Sequence, residues 1–145
     1  MAFKPNPHLE RELDRALDKV GEGIAEEFVS FLLDRLSGPG SGTHWPGLPN
    51  PSSSPGDYPA EQSGALLASI GKSQRSLNGM WAVGALNEIA PVPVEAWALE
   101  YPSPPGSPVK RDSEHGSRGW LSKALADDEL HARLHRKIKE VVASL

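Results

Sequence analysis

Between Trp45 and Gly56 the chain reads Trp-Pro-Gly-Leu-Pro-Asn-Pro-Ser-Ser-Ser-Pro-Gly, a run that no ordinary helix or central strand accommodates. Proline fixes φ and carries no amide hydrogen, and glycine relaxes φ. The run therefore predicts a long arm or loop that divides the chain into an N-terminal part and a larger remainder. Asp57-Tyr58-Pro59 starts regular structure again, and Pro59 suits a first helical position, where its missing amide would be unbonded anyway. Long loops in small domains are either functional or disordered. The rings of Trp45 and Tyr58 at the ends of this one favour function, because large apolar rings need a surface to pack on.

Before the arm, Asn6-Pro7 is a helix start with Asn as N-cap. Leu9, Leu13, Ala16, Leu17, Val20, Ile24, Phe28, Phe31, Leu32 and Leu36 recur at three- and four-residue steps, the pattern of an amphipathic helix. Ser37-Gly38-Pro39 ends it. Gly21 and Gly23 each cost such a helix about 1 kcal/mol relative to alanine, so a bend or a close backbone contact is expected there. Glu10, Glu12, Asp14, Asp18, Glu22, Glu26 and Glu27 make its outer face acidic. That face is either simply solvated, or it meets a partner or lines a channel, with Glu12, Glu22 and Glu26 as the channel-facing candidates.

After the arm, residues 60–68 predict a short helix and residues 69–75 a strand. Asn78-Gly79 marks a hairpin, and Met80 to Leu86 is the returning strand, with Trp81, Val83 and Ala85 on one face. Both faces are apolar enough to predict a sheet covered by a helix on one side. Pro91-Val92-Pro93 breaks the chain before a short helix over 94–101. A second Pro/Gly/Ser loop, 102–116, carries Lys110 and Arg111. The apolar phase of Leu121 and Leu125 does not continue into Leu130, Leu134 and Ile138. The last helical region should therefore break near Asp127, the candidate N-cap of the final helix.

The organisation expected is one α+β domain. It has a long helix over 6–37, an arm over 38–58, a short antiparallel sheet with short helices over 59–101, a loop over 102–116 and a C-terminal helical region over 117–145. At 145 residues with 38% apolar content, such a domain buries roughly 70% of its unfolded surface. The 14 prolines and 14 glycines account for much irregular chain. A net charge of −4 argues against a general nucleic-acid binder. With no cysteine there are no disulfides and no thiolate chemistry. The N-terminus lacks the apolar core of a signal peptide, and no run approaches the ~20 apolar residues of a membrane span, so neither a membrane nor export is expected.

No motif assembles an active site, and no cofactor or metal is expected. His131 and His135 are four apart, but position 132 is Ala where a zinc-protease helix needs Glu. Ser52-Ser53-Ser54 has no nucleophile-elbow context, and Gly38 to Gly42 lacks the lysine of a phosphate loop.

Three segments in order carry a resemblance. Ser54-Pro55-Gly56-Asp57-Tyr58-Pro59-Ala60 leading into Ser63-Gly64-Ala65-Leu66-Leu67-Ala68-Ser69-Ile70 resembles the Pro-Gly loop and Thr-Gly-x-Leu-x-x-Ser-Ile segment of small neck and tail-completion proteins of long-tailed bacteriophages. Ala98-Leu99-Glu100-Tyr101 resembles that family's Leu-Glu-Phe-Gly segment. Arg118-Gly119-Trp120-Leu121 through Leu125 resembles its later Arg-Pro-Phe-Leu segment, with Trp120 standing for Phe and Gly119 for Pro. The resemblance implies a structural virion protein at the head–tail junction, assembled in the host bacterial cytoplasm as a ring of six or twelve copies around the DNA channel. It implies contacts with head-completion and tail-tube or terminator proteins, and DNA that passes without specific binding. Within that ring the candidate interface residues are Trp45, Leu48, Tyr58, Tyr101, Lys110 and Arg111. A tail terminator is the nearest alternative. From another class, a soluble adaptor would use the Pro-x-x-Pro spacings of Pro46–Pro49 and Pro102–Pro105 as a ligand.

Overall fold

The computed structural model describes residues 4–54, 57–100 and 119–145. Its elements in chain order are α1 (Pro7–Leu36), α2 (Ala65–Ser69), β1 (Ile70–Lys72), β2 (Val83–Ala85), α3 (Val94–Glu100), α4 (Leu121–Leu125) and α5 (Asp128–Ala143). The architecture is mixed: long N- and C-terminal helices with a small antiparallel sheet of two strands.

α1 begins as its sequence predicts. The Asn6 side chain accepts the His8 amide at 3.0 Å, satisfying one of the amides that a helix start leaves open. Gly21 and Gly23 answer to close contact, and the helix runs unbroken through both. A Cβ at Gly23 would lie 3.0 Å from Val141 on α5, and one at Gly21 3.1 Å from the Trp81 indole. The two glycines thus let a second helix and the hairpin approach the same turn of α1 from different sides.

α5 lies antiparallel to α1. Arg133 meets Asp34 at 2.8 Å, and Arg35 pairs with Glu129. Further along, Val141 reaches Gly23, and Leu145 lies beside Ala16. Asp127 caps α5, accepting the Glu129 amide at 2.9 Å, so the break between the last two helices falls where the phase change predicts it. The core forms from Phe31, Leu32 and Leu36 of α1 with Ile70, Ala96, Trp120, Ala124 and Leu130, all buried. Every buried residue of α1 lies at Gly23 or beyond.

The strands are shorter than the sequence pattern predicts. Ile70 pairs with Ala85, Gly71 with Gly84 and Lys72 with Val83. One further backbone bond flanks the ladder at each end, Ser73 N–H to Ala82 O at 2.8 Å and Leu86 N–H to Ser69 O at 2.9 Å. Beyond that the Ser73 hydroxyl takes the Ala82 amide at 2.9 Å, a side-chain bond that competes with ladder bonding. The Asn78-Gly79 turn is present, with Ser76 O accepting the Gly79 amide and the Ser76 amide donating to Met80 O, both at 2.9 Å. Gly79 alone in the turn takes positive φ, +75°, so this is a type I turn closed by a glycine bulge.

The helix predicted over 60–68 starts only at Ala65, after Gly64 at φ +79°. Pro59 does not open it and is buried instead. No helix among the described residues is long and apolar enough to cross a membrane.

Candidate functional site

The arm is an ordered double-backed loop. Gly40 N–H bonds Pro51 O at 3.1 Å, Gly42 N–H bonds Ser52 O at 2.7 Å, and Ser52 N–H returns to Thr43 O at 3.0 Å. The limbs approach so closely that a Cβ at Gly40 would sit 2.0 Å from the Ser52 carbonyl oxygen. At the tip, Trp45-Pro46-Gly47-Leu48 closes through Leu48 N–H to Trp45 O at 3.2 Å. Gly47 has φ +84°, and proline followed by a positive-φ glycine is the signature of a type II turn. The turn holds Trp45 56% and Leu48 41% exposed, so two of the predicted interface residues stand together on a stiff tip. The returning limb is clasped by Asn50 and Gln62. Asn50 Nδ2 donates to Glu61 O at 2.8 Å, and Gln62 Nε2 donates to Asn50 O at 3.0 Å.

Under the tip runs an apolar groove of about 740 Å³ whose walls include Leu36, Leu48, Pro59, Leu67, Pro93 and Leu99. It lies between the arm, the segment leading into α2, and α3.

Tyr58, also predicted for an interface, is engaged within the chain. Its ring meets Phe31 edge-on, with centroids 6.3 Å apart and planes at 75°. Lys123 and Arg35 lie over it at 5.1 and 5.9 Å. The hydroxyl donates to Asp127 Oδ2 at 2.9 Å, so Tyr58 pins the base of the arm to the junction of α4 and α5. Burial first, then the bond to Asp127 and its charge, push this hydroxyl well above the ordinary tyrosine range against the opposing charge of Arg35. Tyr101, Lys110 and Arg111 lie outside the described residues.

Part of the acidic face of α1 is engaged. Lys72 reaches Glu22 at 2.9 Å and Glu26 at 3.4 Å, and Arg75 reaches Asp18 at 2.5 Å. Glu12 lies 3.6 Å from His8. Two of the three carboxylates predicted to face a channel therefore hold a lysine of β1.

A long-range clamp joins two segments that the sequence keeps twenty residues apart. Glu100, at the end of α3, accepts Trp120 N–H at 2.9 Å and Leu121 N–H at 2.8 Å on Oε2, and Ser122 N–H at 2.8 Å on Oε1. These are the open amides of the start of α4. Burial pushes the Glu100 carboxyl up, but the bonds from Ser122 and the backbone amides outweigh it and hold the group below the ordinary carboxylate value. Beside the clamp, buried Trp120 donates its indole N–H to Ala96 O at 2.9 Å. Glu100 and Trp120 thus tie the end of α3 to the start of α4. No local pattern announces the pairing.

Among the described residues no group of three or more His, Cys, Asp or Glu is placed to hold a metal ion. His131 Nε2 lies 2.8 Å from Leu125 O, and His44 Nε2 lies 2.8 Å from Leu48 O. Comparison with family models, curated proteins and solved structures finds no match to this chain.

Proposed function

We propose that this chain is a structural virion protein of a tailed bacteriophage, acting at the head–tail junction as a neck or tail-completion subunit in a ring of identical copies. The observation that carries the reading is the arm: a braced loop whose type II turn presents Trp45 and Leu48 to solvent. A pre-formed apolar tip loses little entropy when it docks, and Trp is a frequent anchor of interfaces. In a ring each contact is heterologous, so the tip of one subunit meets a different surface of the next. Support also comes from the sequence resemblance, whose second and third segments are the two that Glu100 clamps together. The reading does not draw on the acidic face, of which Glu22 and Glu26 pair with Lys72.

For the adaptor alternative, one of the example Pro-x-x-Pro segments sits in a turn. Gly47 at φ +84° turns the chain between Pro46 and Pro49, whereas a polyproline ligand needs continuous extended backbone. The other segment, Pro102–Pro105, lies outside the described residues.

In a complementation assay, purified wild-type protein added to an extract of the gene-deleted phage should restore infectious particles. A folded variant lacking residues 44–48 should not. Full restoration by that variant would refute the arm's role in joining.

A further inference from the structure

The chain has four asparagines, at 6, 50, 78 and 87, and their surroundings differ. Asn6 and Asn50 precede prolines, whose nitrogen carries no hydrogen. Asn87 accepts the Val92 amide at 3.0 Å on its side-chain oxygen, and Glu88 after it crowds the next peptide nitrogen. Asn78 is unlike the others. Gly79 follows it with no side chain over its nitrogen, and no hydrogen bond holds the Asn78 side chain among the described residues. Every residue from 74 to 80 is exposed. The turn is closed only by bonds between Gly79 N–H and Ser76 O, Ser76 N–H and Met80 O, and Met80 N–H and Ser76 Oγ, and bonds so exposed open locally while the domain stays folded. Arg75 lies against this turn. A Cβ at Gly79 would sit 3.2 Å from Arg75 Nη2, while Arg75 Nε holds Asp18 of α1 at 2.5 Å and ties the hairpin tip to that helix.

We propose that Asn78–Gly79 is a self-modification site, where the chain converts Asn78 to aspartate and isoaspartate and so releases the hairpin tip from α1. When the turn opens, hydroxide takes the Gly79 amide proton and the freed nitrogen attacks Asn78 Cγ. The new N–Cγ bond forms, the Cγ–Nδ2 bond breaks, and ammonia leaves with a proton from water, which regenerates hydroxide. Water then opens the imide ring. Cleavage of N–Cγ gives aspartate, and cleavage at the backbone carbonyl gives isoaspartate, in which the chain runs through the former side chain. Either way the side-chain nitrogen is exchanged for one oxygen from water, and nothing is oxidised or reduced. Both products set a carboxylate beside Arg75, where it competes with Asp18. Isoaspartate also lengthens the backbone by one carbon, so the bonds at Gly79 and Ser76 lose their register. The inference does not rest on the tail reading.

The folded full chain, held at mildly alkaline pH beside a urea-unfolded sample, should be followed by fragment mass spectrometry. Asn78 should gain about 1 Da in ordinary water and about 3 Da in heavy-oxygen water. Asn87 in the same molecules should gain nothing over that time. The unfolded sample should convert faster, because its Gly79 amide is never held. Asn78→Asp installs the charge directly and should raise hydrogen exchange at the Ser73 and Ser76 amides about two- to fivefold, the worth of one exposed ion pair. In a chain already carrying Asp18→Asn it should no longer do so, since the competitor is gone. A folded chain unchanged at Asn78 after the unfolded one has converted, or an equal gain at Asn87, overturns the site. Exchange indifferent to Asn78→Asp overturns the release of the tip.

Discussion

Replacing Glu100 with alanine removes one carboxylate and leaves three backbone amides, those of Trp120, Leu121 and Ser122, without their acceptor. A hydrogen bond to a charged group contributes about 1.5–3 kcal/mol, and orphaned amides add their desolvation cost. Ser122 is exposed and Leu121 only half-buried, so water reaches part of the vacated site and the three bonds do not sum. The expected loss is about 2 kcal/mol, close to one well-made charged bond. The tryptophan signal in urea unfolding should report it, with Trp120 buried beside the clamp. Acid adds a second readout. The folded-state value of Glu100 is depressed, so its contribution is complete above the ordinary carboxylate range and is lost as pH falls through the folded value. Glu100→Gln should flatten the acid limb of the stability curve while keeping part of the hydrogen bonding. An alanine variant within about 0.3 kcal/mol of wild type, with an unchanged acid limb, would refute the clamp.

Tyr58→Phe should cost about 1 kcal/mol through loss of the bond to Asp127, measured by urea titration. Because the Tyr58 hydroxyl is held above its ordinary value, wild type should lose this contribution as pH rises past about 10, and the Phe variant should lack that alkaline slope. Gly40→Ala would place a methyl carbon against the Ser52 carbonyl, so the limbs must part. Hydrogen exchange at Gly42 and Ser52 should rise while α1 stays protected. Trp45→Ala and Leu48→Ala, both at exposed positions, should change stability by under about 0.5 kcal/mol and still abolish head–tail joining in the complementation assay.

What the sequence made legible was local. Asn6-Pro7 and Asp127 announce their helices because a cap and its amides lie within three residues, and Asn78-Gly79 announces the hairpin for the same reason. Gly21 and Gly23 suggested a contact, though not which partners would fill it. Local cues failed where distant groups decide the outcome. Pro59 looked like a helix start, but its place is the wall of the groove, and Gly64 delays the helix to Ala65. The strands stop short because the Ser73 hydroxyl competes for the Ala82 amide, which no alternation of apolar residues encodes. The pairing of Lys72 with Glu22 on the acidic face of α1 was not legible, because residues fifty apart carry no periodicity that links the two. Within the candidate site, Trp45 and Leu48 stand where an interface tip would present them, whereas Tyr58 is an internal pin.

The head–tail reading is tested most directly by electron microscopy of a lysate from the phage lacking this gene. Filled heads lying apart from finished tails of normal length, with joining restored by the wild-type protein, is the predicted result. Normal infectious particles would contradict it.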